Sequence, residues 1–448
     1  MGSVTGMRRT GRAIVTMAAA AALGLAGCGS GSGGGAGSSV PNTPSAPGST
    51  GSGQTGSSGS VSPGSGGAGS MSVGGGSGST SAPGTGPVTV NVGGFTGTFD
   101  PPATDCKPGQ YSDSNPIKAA WIYVGSPSDA GWTQAHDQGR QAAANHFGKS
   151  LVTITKENVP EGPQTAQVLQ QVVSQGANIV FATSYGFQPS VLAAAKANPS
   201  VLFEQATGDT MLPNVAQYYG AGEDGDYLSG MAIGYASKTG KIGFVAPFPI
   251  PEVIREINAY TMGARFAHPG ATVKVVWTNT WFDPAKERQA AQSLVSAGVD
   301  ALGDGQDSPT TGQVAKSSNL PWTGYDSDQT SFAPENFLTA TTYHWGDYYT
   351  QEIQAAMDCS WRTHFYYGGL GDGFVKMAPY GKSMSEDAKT AIDKRKQEII
   401  DGSFDPFAGP LTDQAGKVKI AEGTTMSIKD KYQMNWFVQG VDGTIPAG

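Results

Sequence analysis

Three cysteines in 448 residues are too few to staple so long a chain, which excludes a disulfide scaffold. Basic charge is also scarce. The 28 Lys and Arg stand against 36 Asp and Glu, a net charge of −8, so no surplus exists to neutralise phosphates and a nucleic-acid binder is not expected. There is no Walker A sequence, and the five histidines (His136, His146, His268, His344 and His364) show no zinc spacing. No credible set of nucleophile, base and orienting acid stands outside the low-complexity tract near the start. The expectation is a protein that is not an enzyme and needs no cofactor or metal. The apolar run from Ala13 to Gly27 is roughly 15 residues, too short to span a bilayer comfortably as a mature helix.

What is present divides into two different polymers. Residues 1–27 read as an export leader: Arg8, Arg9 and Arg12 precede the apolar run, which ends in Leu25-Ala26-Gly27-Cys28. Small residues leading into a cysteine form the lipobox pattern of bacterial lipoproteins. Cleavage is therefore expected before Cys28, whose lipid would anchor the chain to the outer face of the cell membrane. Residues 28–87 are Gly, Ser, Pro and Thr with hardly a charge or aromatic, a composition that cannot repay its ordering entropy. As a tether of about 60 residues it reaches on the order of 40 Å.

Residues 88–116 form an N-terminal extension with a short alternating run, Val88-Thr89-Val90-Asn91-Val92, and a Pro-rich stretch containing Cys106. The globular part is expected from Ile117 onward. At roughly 330 residues it exceeds what one core usually supports, so two domains are expected. Short apolar strands alternate with helical stretches: a strand at 119–124, a helix at 132–147, then strands near 151, 178, 201 and 215 separated by helices, the last helix at 227–237. The rhythm restarts at Lys241-Ile242-Gly243-Phe244-Val245 and runs through helices at 254–265 and 286–296 to a strand at 301–302. This is the pattern of an α/β chain with two Rossmann-like lobes and parallel sheets, whose ligands lie beyond the carboxyl ends of the strands.

The loops at those ends carry chemistry. In the first lobe they hold Asp129, Trp132 and Thr133, then Ser184 and Tyr185; in the second they hold Phe248, Trp281, Asp307, Ser308 and Asp326. Nearly every loop offers an aromatic face with a carboxylate or hydroxyl, which suits a planar heterocycle that stacks on rings and donates edge N–H groups. Trp132 and Trp281 are the stacking candidates, one per lobe, with Phe248 and Tyr185 behind them. Asp129, Asp307 and Asp326 are the acceptor candidates, and Ser184 and Ser308 could supply hydroxyls. The competing reading is that the aromatics fill the lobes' own cores and the acids cap helices. His344 and Trp345 fit a hinge or core role at least as well as a ligand contact.

The segments "YVGSPSDAGWTQAHDQGR", "ENVPEG", "FPIPEVIREINAYTMGAR", "VVWTNTWFDPAKER" and "GYDSD" resemble the basic membrane protein family of substrate-binding lipoproteins, which includes purine-nucleoside receptors of ABC importers. The resemblance covers about Ile117 to Val438. It implies a type I periplasmic-binding-protein fold, two lobes joined by a three-crossing hinge that closes on ligand. By that analogy lobe 1 is 117–239 plus 338–361, and lobe 2 is 240–337 plus 362–448. Where nucleoside-binding members have Asp-x-Ser-Phe-Asn, this chain has Asp129-Ala130-Gly131-Trp132-Thr133. Trp132 takes the place of Phe and Thr133 that of Asn. The Asp used on ribose falls at Asp326, and the Lys of the following strand falls at Tyr343. The changes favour a purine base such as adenine over a nucleoside.

The implied partners are an ABC permease and ATPase, with the membrane reached through the lipid. The alternatives are a receptor for a nucleoside or another small heterocycle such as a flavin, a ligand sensor, or a nucleoside hydrolase. With Cys28 lipidated, Cys106 and Cys359 remain as an even pair in an oxidising compartment, which favours a bridge over two free thiols.

Overall fold

The computed structural model describes residues 86–446; the leader, Cys28 and nearly all of the tether lie outside the described residues. Two parallel sheets organise the chain. The first has six strands in the order Phe365–Gly368, Val215–Gly220, Leu202–Ala206, Ile179–Ala182, Ile117–Ile122 and Leu151–Lys156, with parallel pairing throughout. The second has seven: Val375–Met377, Phe337–Tyr343, Trp322–Asp326, Ala301–Asp304, Lys241–Ala246, Thr272–Trp277 and Val441–Asp442. Only Val375–Met377 runs antiparallel to its neighbour. Central strands such as Ile179–Ala182 and Trp322–Asp326 are buried along their whole length, because helices cover both faces of a parallel sheet.

The helices begin where local chemistry prescribes. Pro163, Pro251 and Pro284 occupy first turns, where a missing N–H costs nothing. Asp283 accepts from the backbone N–H groups of Ala285 and Lys286 and caps the helix Pro284–Ser296. Trp121 and Phe181 stack at 4.9 Å inside the first lobe. Trp322 packs edge-on against Phe337 at 5.5 Å inside the second.

Sheet pairing and helix packing differ from the division expected by analogy at three places. The helix Gly222–Ala236, expected in lobe 1, packs on the second lobe, against the helix Pro251–Ala267 and the strand Phe337–Tyr343. The reason is close approach of two backbones: a Cβ at Gly230 would lie 2.0 Å from the Tyr260 carbonyl oxygen, and one at Gly263 would lie 1.9 Å from that of Tyr227. The return to lobe 1, expected over 338–361, also starts later. Phe337–Tyr343 is a strand of the second sheet, in parallel register with Gly324–Asp326. The helix Trp345–Met357 then packs on the helix Trp132–Phe147 of the first lobe, and Phe365–Gly368, expected in lobe 2, joins the edge of the first sheet by parallel pairing with Val215–Gly220. The chain thus crosses between lobes near 221, near 344 and over 369–374, giving the three-crossing hinge of a type I periplasmic-binding-protein fold.

The N-terminal extension is ordered onto this hinge. Val88–Val92 and Phe95–Phe99 form an antiparallel hairpin that turns through Gly93 and Gly94 at φ +54° and +95°. Phe95 stacks on Phe365 at 4.2 Å and meets Tyr432 edge-on at 5.4 Å, while the Lys429 N–H donates to the Gly93 carbonyl. A disulfide joins Cys106 to Cys359, with Cα atoms 5.6 Å apart.

Candidate functional site

In each sheet the first strand lies between the second and the third, so the chain leaves it in opposite directions on its two sides. The loops beyond those carboxyl ends diverge and leave a crevice. The two crevices face each other across a narrow cavity. Lobe 1 supplies Val124, Trp132, Ser184, Tyr185 and Thr207; the second lobe supplies Glu252, Val253, Glu256, Trp281, Gly305, Asp307 and Tyr325. No Lys, Arg or His is among these lining residues.

Five of the residues expected in the site line the cavity together: Trp132, Ser184, Tyr185, Trp281 and Asp307. Trp132 is buried, and its Nε1–H donates to the Thr183 carbonyl at 2.7 Å, which fixes the ring. Tyr185 stands at the mouth, 41% exposed. Ser184 donates to Glu161 at 2.6 Å, and the Gly186 N–H donates to the same oxygen at 2.8 Å. The other Glu161 oxygen accepts from Trp281 Nε1–H at 3.3 Å, a bond that crosses from one lobe to the other. Phe248 stays outside the lining and meets Trp281 edge-on at 5.1 Å.

The remaining expected residues are placed elsewhere. Asp129 does not line the cavity; its carboxylate accepts from the backbone N–H groups of Gly131, Thr133 and Gln134 at 2.9, 2.8 and 3.0 Å. It therefore closes the start of the helix Trp132–Phe147, where orphan N–H groups attract an anion. Thr133 is fully buried in the same turn. Ser308 donates to Glu287 and its hydroxyl lies 2.8 Å from that of Thr310, holding the start of the helix Thr310–Ser318. Asp326 opens onto a neighbouring groove with Tyr343, His344 and Trp345. Trp345 is core, stacked on His136 at 3.9 Å and Tyr343 at 5.4 Å.

Seven lining residues were missed from sequence, and three of them stand out. Glu252 and Glu256 project from the first turns of the helix Pro251–Ala267, where acids read simply as dipole partners. Glu256 accepts from Tyr219 at 2.8 Å, and the Tyr343 hydroxyl lies 2.9 Å from that of Tyr219 and 3.2 Å from that of Tyr325. The third is Thr207, which sits at φ +61°, rare for a β-branched residue, and whose hydroxyl has no partner among the described residues. Ala130 and Asp326 share that left-handed conformation, so backbone strain gathers at the cleft, as it does at functional sites.

Charge in the cleft is of one sign. Burial pushes Glu252 up to about 7 and Glu256 well above the usual carboxylate range. Burial, then the neighbouring acids, does the same to Asp307 and Asp326. Arg255 is one residue from Glu256, yet it is turned away, 3.3 Å from Glu223 and flanked by the rings of Tyr219 and Tyr432.

The lobes also meet directly. A Cβ at Gly131 would lie 2.4 Å from the Asp307 carbonyl oxygen, so only glycine permits that approach. Ser327 and Gln329 of the second lobe donate to the Ala130 carbonyl of the first at 2.6 and 3.1 Å.

Residues 117–404 match the family model described as ABC transporter substrate-binding protein PnrA-like. A purine-binding protein of Brucella abortus is 35% identical over 330 residues, which cover 74% of this chain and 94% of that protein. A putative ABC transporter glucose-binding protein of Haloferax volcanii is 31% identical, covering 76% of this chain and 84% of that one. Among solved structures, an ABC transporter solute-binding protein from Conexibacter woesei superposes with a TM-score of 0.54 at 19% identity, over 64% of this chain and 98% of its own. A solute-binding protein of Aeropyrum pernix gives 0.56 at 17%, over 66% and 93%. These two share the fold.

Proposed function

We propose, for a chain that belongs to the PnrA-like family of ABC transporter substrate-binding proteins, that it captures a purine base between its lobes and delivers it to a permease. Proteins of this family bind small molecules outside the cytoplasm and work with the other components of an ABC transporter. The observation that carries the reading is the pairing of flat aromatic faces, Trp132 and Trp281, with buried acids, Asp307 and Glu252, around one cavity. A purine presents two π-faces and an edge of N–H groups and ring nitrogens, which matches those walls. The purine-binding relative supports the same class.

A base is favoured over a nucleoside because the lysine position of nucleoside-binding members is Tyr343, whose hydroxyl is already engaged with Tyr219 and Tyr325. A nucleoside is the second reading. It draws on Asp326, whose carboxylate has no partner among the described residues and faces the adjoining groove.

The proposed mechanism is capture and release. The ligand favours the closed arrangement by its differential affinity for it, and the Glu161–Trp281 bond joins the lobes in that form. The permease reads the closed shape, and ATP is hydrolysed by another subunit. No helix among the described residues is long and apolar enough to cross a membrane; the lipid on Cys28 is the proposed anchor. Native mass spectrometry of the full chain, purified without refolding, tests the ligand class. An adenine, guanine or hypoxanthine mass supports the reading; a nucleoside mass transfers it to the second one; a sugar mass overturns the purine class.

A further inference from the structure

Away from the cleft, in the first lobe, three side chains with metal-ligating atoms converge. They are Glu204 of the strand Leu202–Ala206, Glu352 of the helix Trp345–Met357, and His364, which precedes the strand Phe365–Gly368. One ligand atom of each lies within 4.8 Å of those of the other two. Glu204 is fully buried, whereas the side chains of Glu352 and His364 are 15% and 30% exposed. The cluster is therefore walled by the sheet and reached from solvent.

The groups are also oriented. His364 Nδ1 lies 3.0 Å from the Arg362 carbonyl oxygen. A carbonyl only accepts, so Nδ1 carries a proton and Nε2 is turned to the cluster, 3.0 Å from the Tyr348 hydroxyl and 3.7 Å from Glu352. One Glu204 oxygen accepts from Trp361 Nε1–H at 2.6 Å and the other from the Tyr348 hydroxyl at 2.7 Å. Tyr348 has a single proton, and giving it to Glu204 leaves none for Nε2. Coordinating imidazoles and carboxylates are held in this manner, with the far nitrogen or oxygen engaged by a fixed partner.

We propose that Glu204, Glu352 and His364 form a site for a divalent transition-metal ion of the Zn²⁺ class, separate from the ligand cleft and independent of the purine reading. Two carboxylates and a neutral imidazole carry two negative charges, which one such ion cancels; a proton on His364 cancels only one. The donor set of one nitrogen and two oxygens suits Zn²⁺ and disfavours Ca²⁺, which takes six to eight oxygens. A tetrahedral ion with bonds of about 2.1 Å holds its ligand atoms roughly 3.4 Å apart. The cluster thus contracts on binding, by rotation of the partly exposed Glu352 side chain, and water takes the fourth position.

The place in the fold gives the ion a role. The chain enters lobe 1 near 344 and leaves it over 369–374, so the ion ties the segment between the second and third crossings to an interior strand of that lobe, as the Cys106–Cys359 disulfide ties it to the N-terminal extension. The spacing of the histidines does not reveal this site, because only one ligand is a histidine and the carboxylates come from distant elements.

The test is equilibrium dialysis of the untagged, chelator-stripped full chain against zinc chloride, with zinc measured by elemental mass spectrometry. Wild type is compared with Glu352→Gln, with His364→Gln and with His146→Gln, a control on an exposed histidine outside the cluster. Expected is one zinc per chain for wild type and His146→Gln, and binding weaker by about ten-fold or more in the two cluster variants. Zinc should also raise the thermal midpoint of wild type, a shift that both cluster variants lose. X-ray absorption of the zinc-loaded wild type should show one imidazole among oxygen ligands and no sulfur. No uptake by wild type overturns the proposal. So does binding that survives both cluster variants or falls with His146→Gln, which would mark an adventitious surface site. A sulfur ligand or a second imidazole overturns it too, and that spectrum decides the matter even if a variant does not fold. Every outcome leaves the purine reading as it stands.

Discussion

Asp129 and Asp307 occupy related places in the two lobes, each in the loop after a central strand at the cleft edge, and each is buried. Their fates differ. Three backbone N–H groups converge on Asp129, while nothing among the described residues donates to the side chain of Asp307. The same contrast holds for Glu161, held by Ser184 and Gly186, against Asp326, whose two oxygens lack partners among the described residues. In these two pairs the acids of lobe 1 have their donors and those of lobe 2 have none among the described residues. An acid in a binding cleft is therefore not evidence of ligand recognition until its donors have been accounted for.

The largest expected effect is on the prebuilt wall. Trp132→Ala removes a buried indole and the donor to Thr183; by analogy with other buried Trp truncations it should cost about 3–5 kcal/mol of stability, read by denaturant unfolding, and ligand should no longer be retained. Asp129→Ala and Asp307→Asn then break the comparison in opposite directions. Loss of the cap should destabilise by about 1–2 kcal/mol, whereas Asp307→Asn should stabilise the ligand-free protein at pH 7.

The sign follows from linkage. An acid whose folded pKa is raised costs stability as pH rises above its unfolded value of about 4, because the unfolded state then releases the proton more readily. Thermal unfolding of wild type and Asp307→Asn should therefore converge near pH 4 and separate toward pH 7. Equal stability at both pH values would mean that Asp307 has a donor after all. The smallest effect is expected from Glu161→Gln, which weakens a 3.3 Å contact between lobes. It should lower ligand affinity only a few-fold and shift small-angle scattering toward the open form.

Much of the fold was legible as far as residue 302. The helix Trp132–Phe147 was read with its observed bounds, and the neighbouring strands within a few residues, because apolar runs and helical spacing alternate cleanly there. Legibility fell beyond that point. The helix Thr310–Ser318 is nine mostly polar residues with little periodicity to find. Phe337–Tyr343 reads equally well as a strand of either lobe, since a short apolar run carries no record of its partner. In the site, the stacking residues were legible as large aromatics in the expected loops. Glu252 and Glu256 were not, because acids in a first helical turn have a sufficient local explanation. For Asp129 a signal did exist: an Asp shortly before a helix start is a capping pattern, and it outweighed the ligand role.

By itself the sequence determined the α/β alternation, the family and the group of loops that meet at the cleft, since each of these depends on local periodicity or on motifs contiguous in the chain. Only the tertiary structure decided which sheet received Phe337–Tyr343, which lobe the helix Gly222–Ala236 served, and which carboxylates were left without donors. Those outcomes depend on hydrogen bonds and backbone contacts between segments far apart in the chain, and no local pattern encodes whether a buried acid will find its partner.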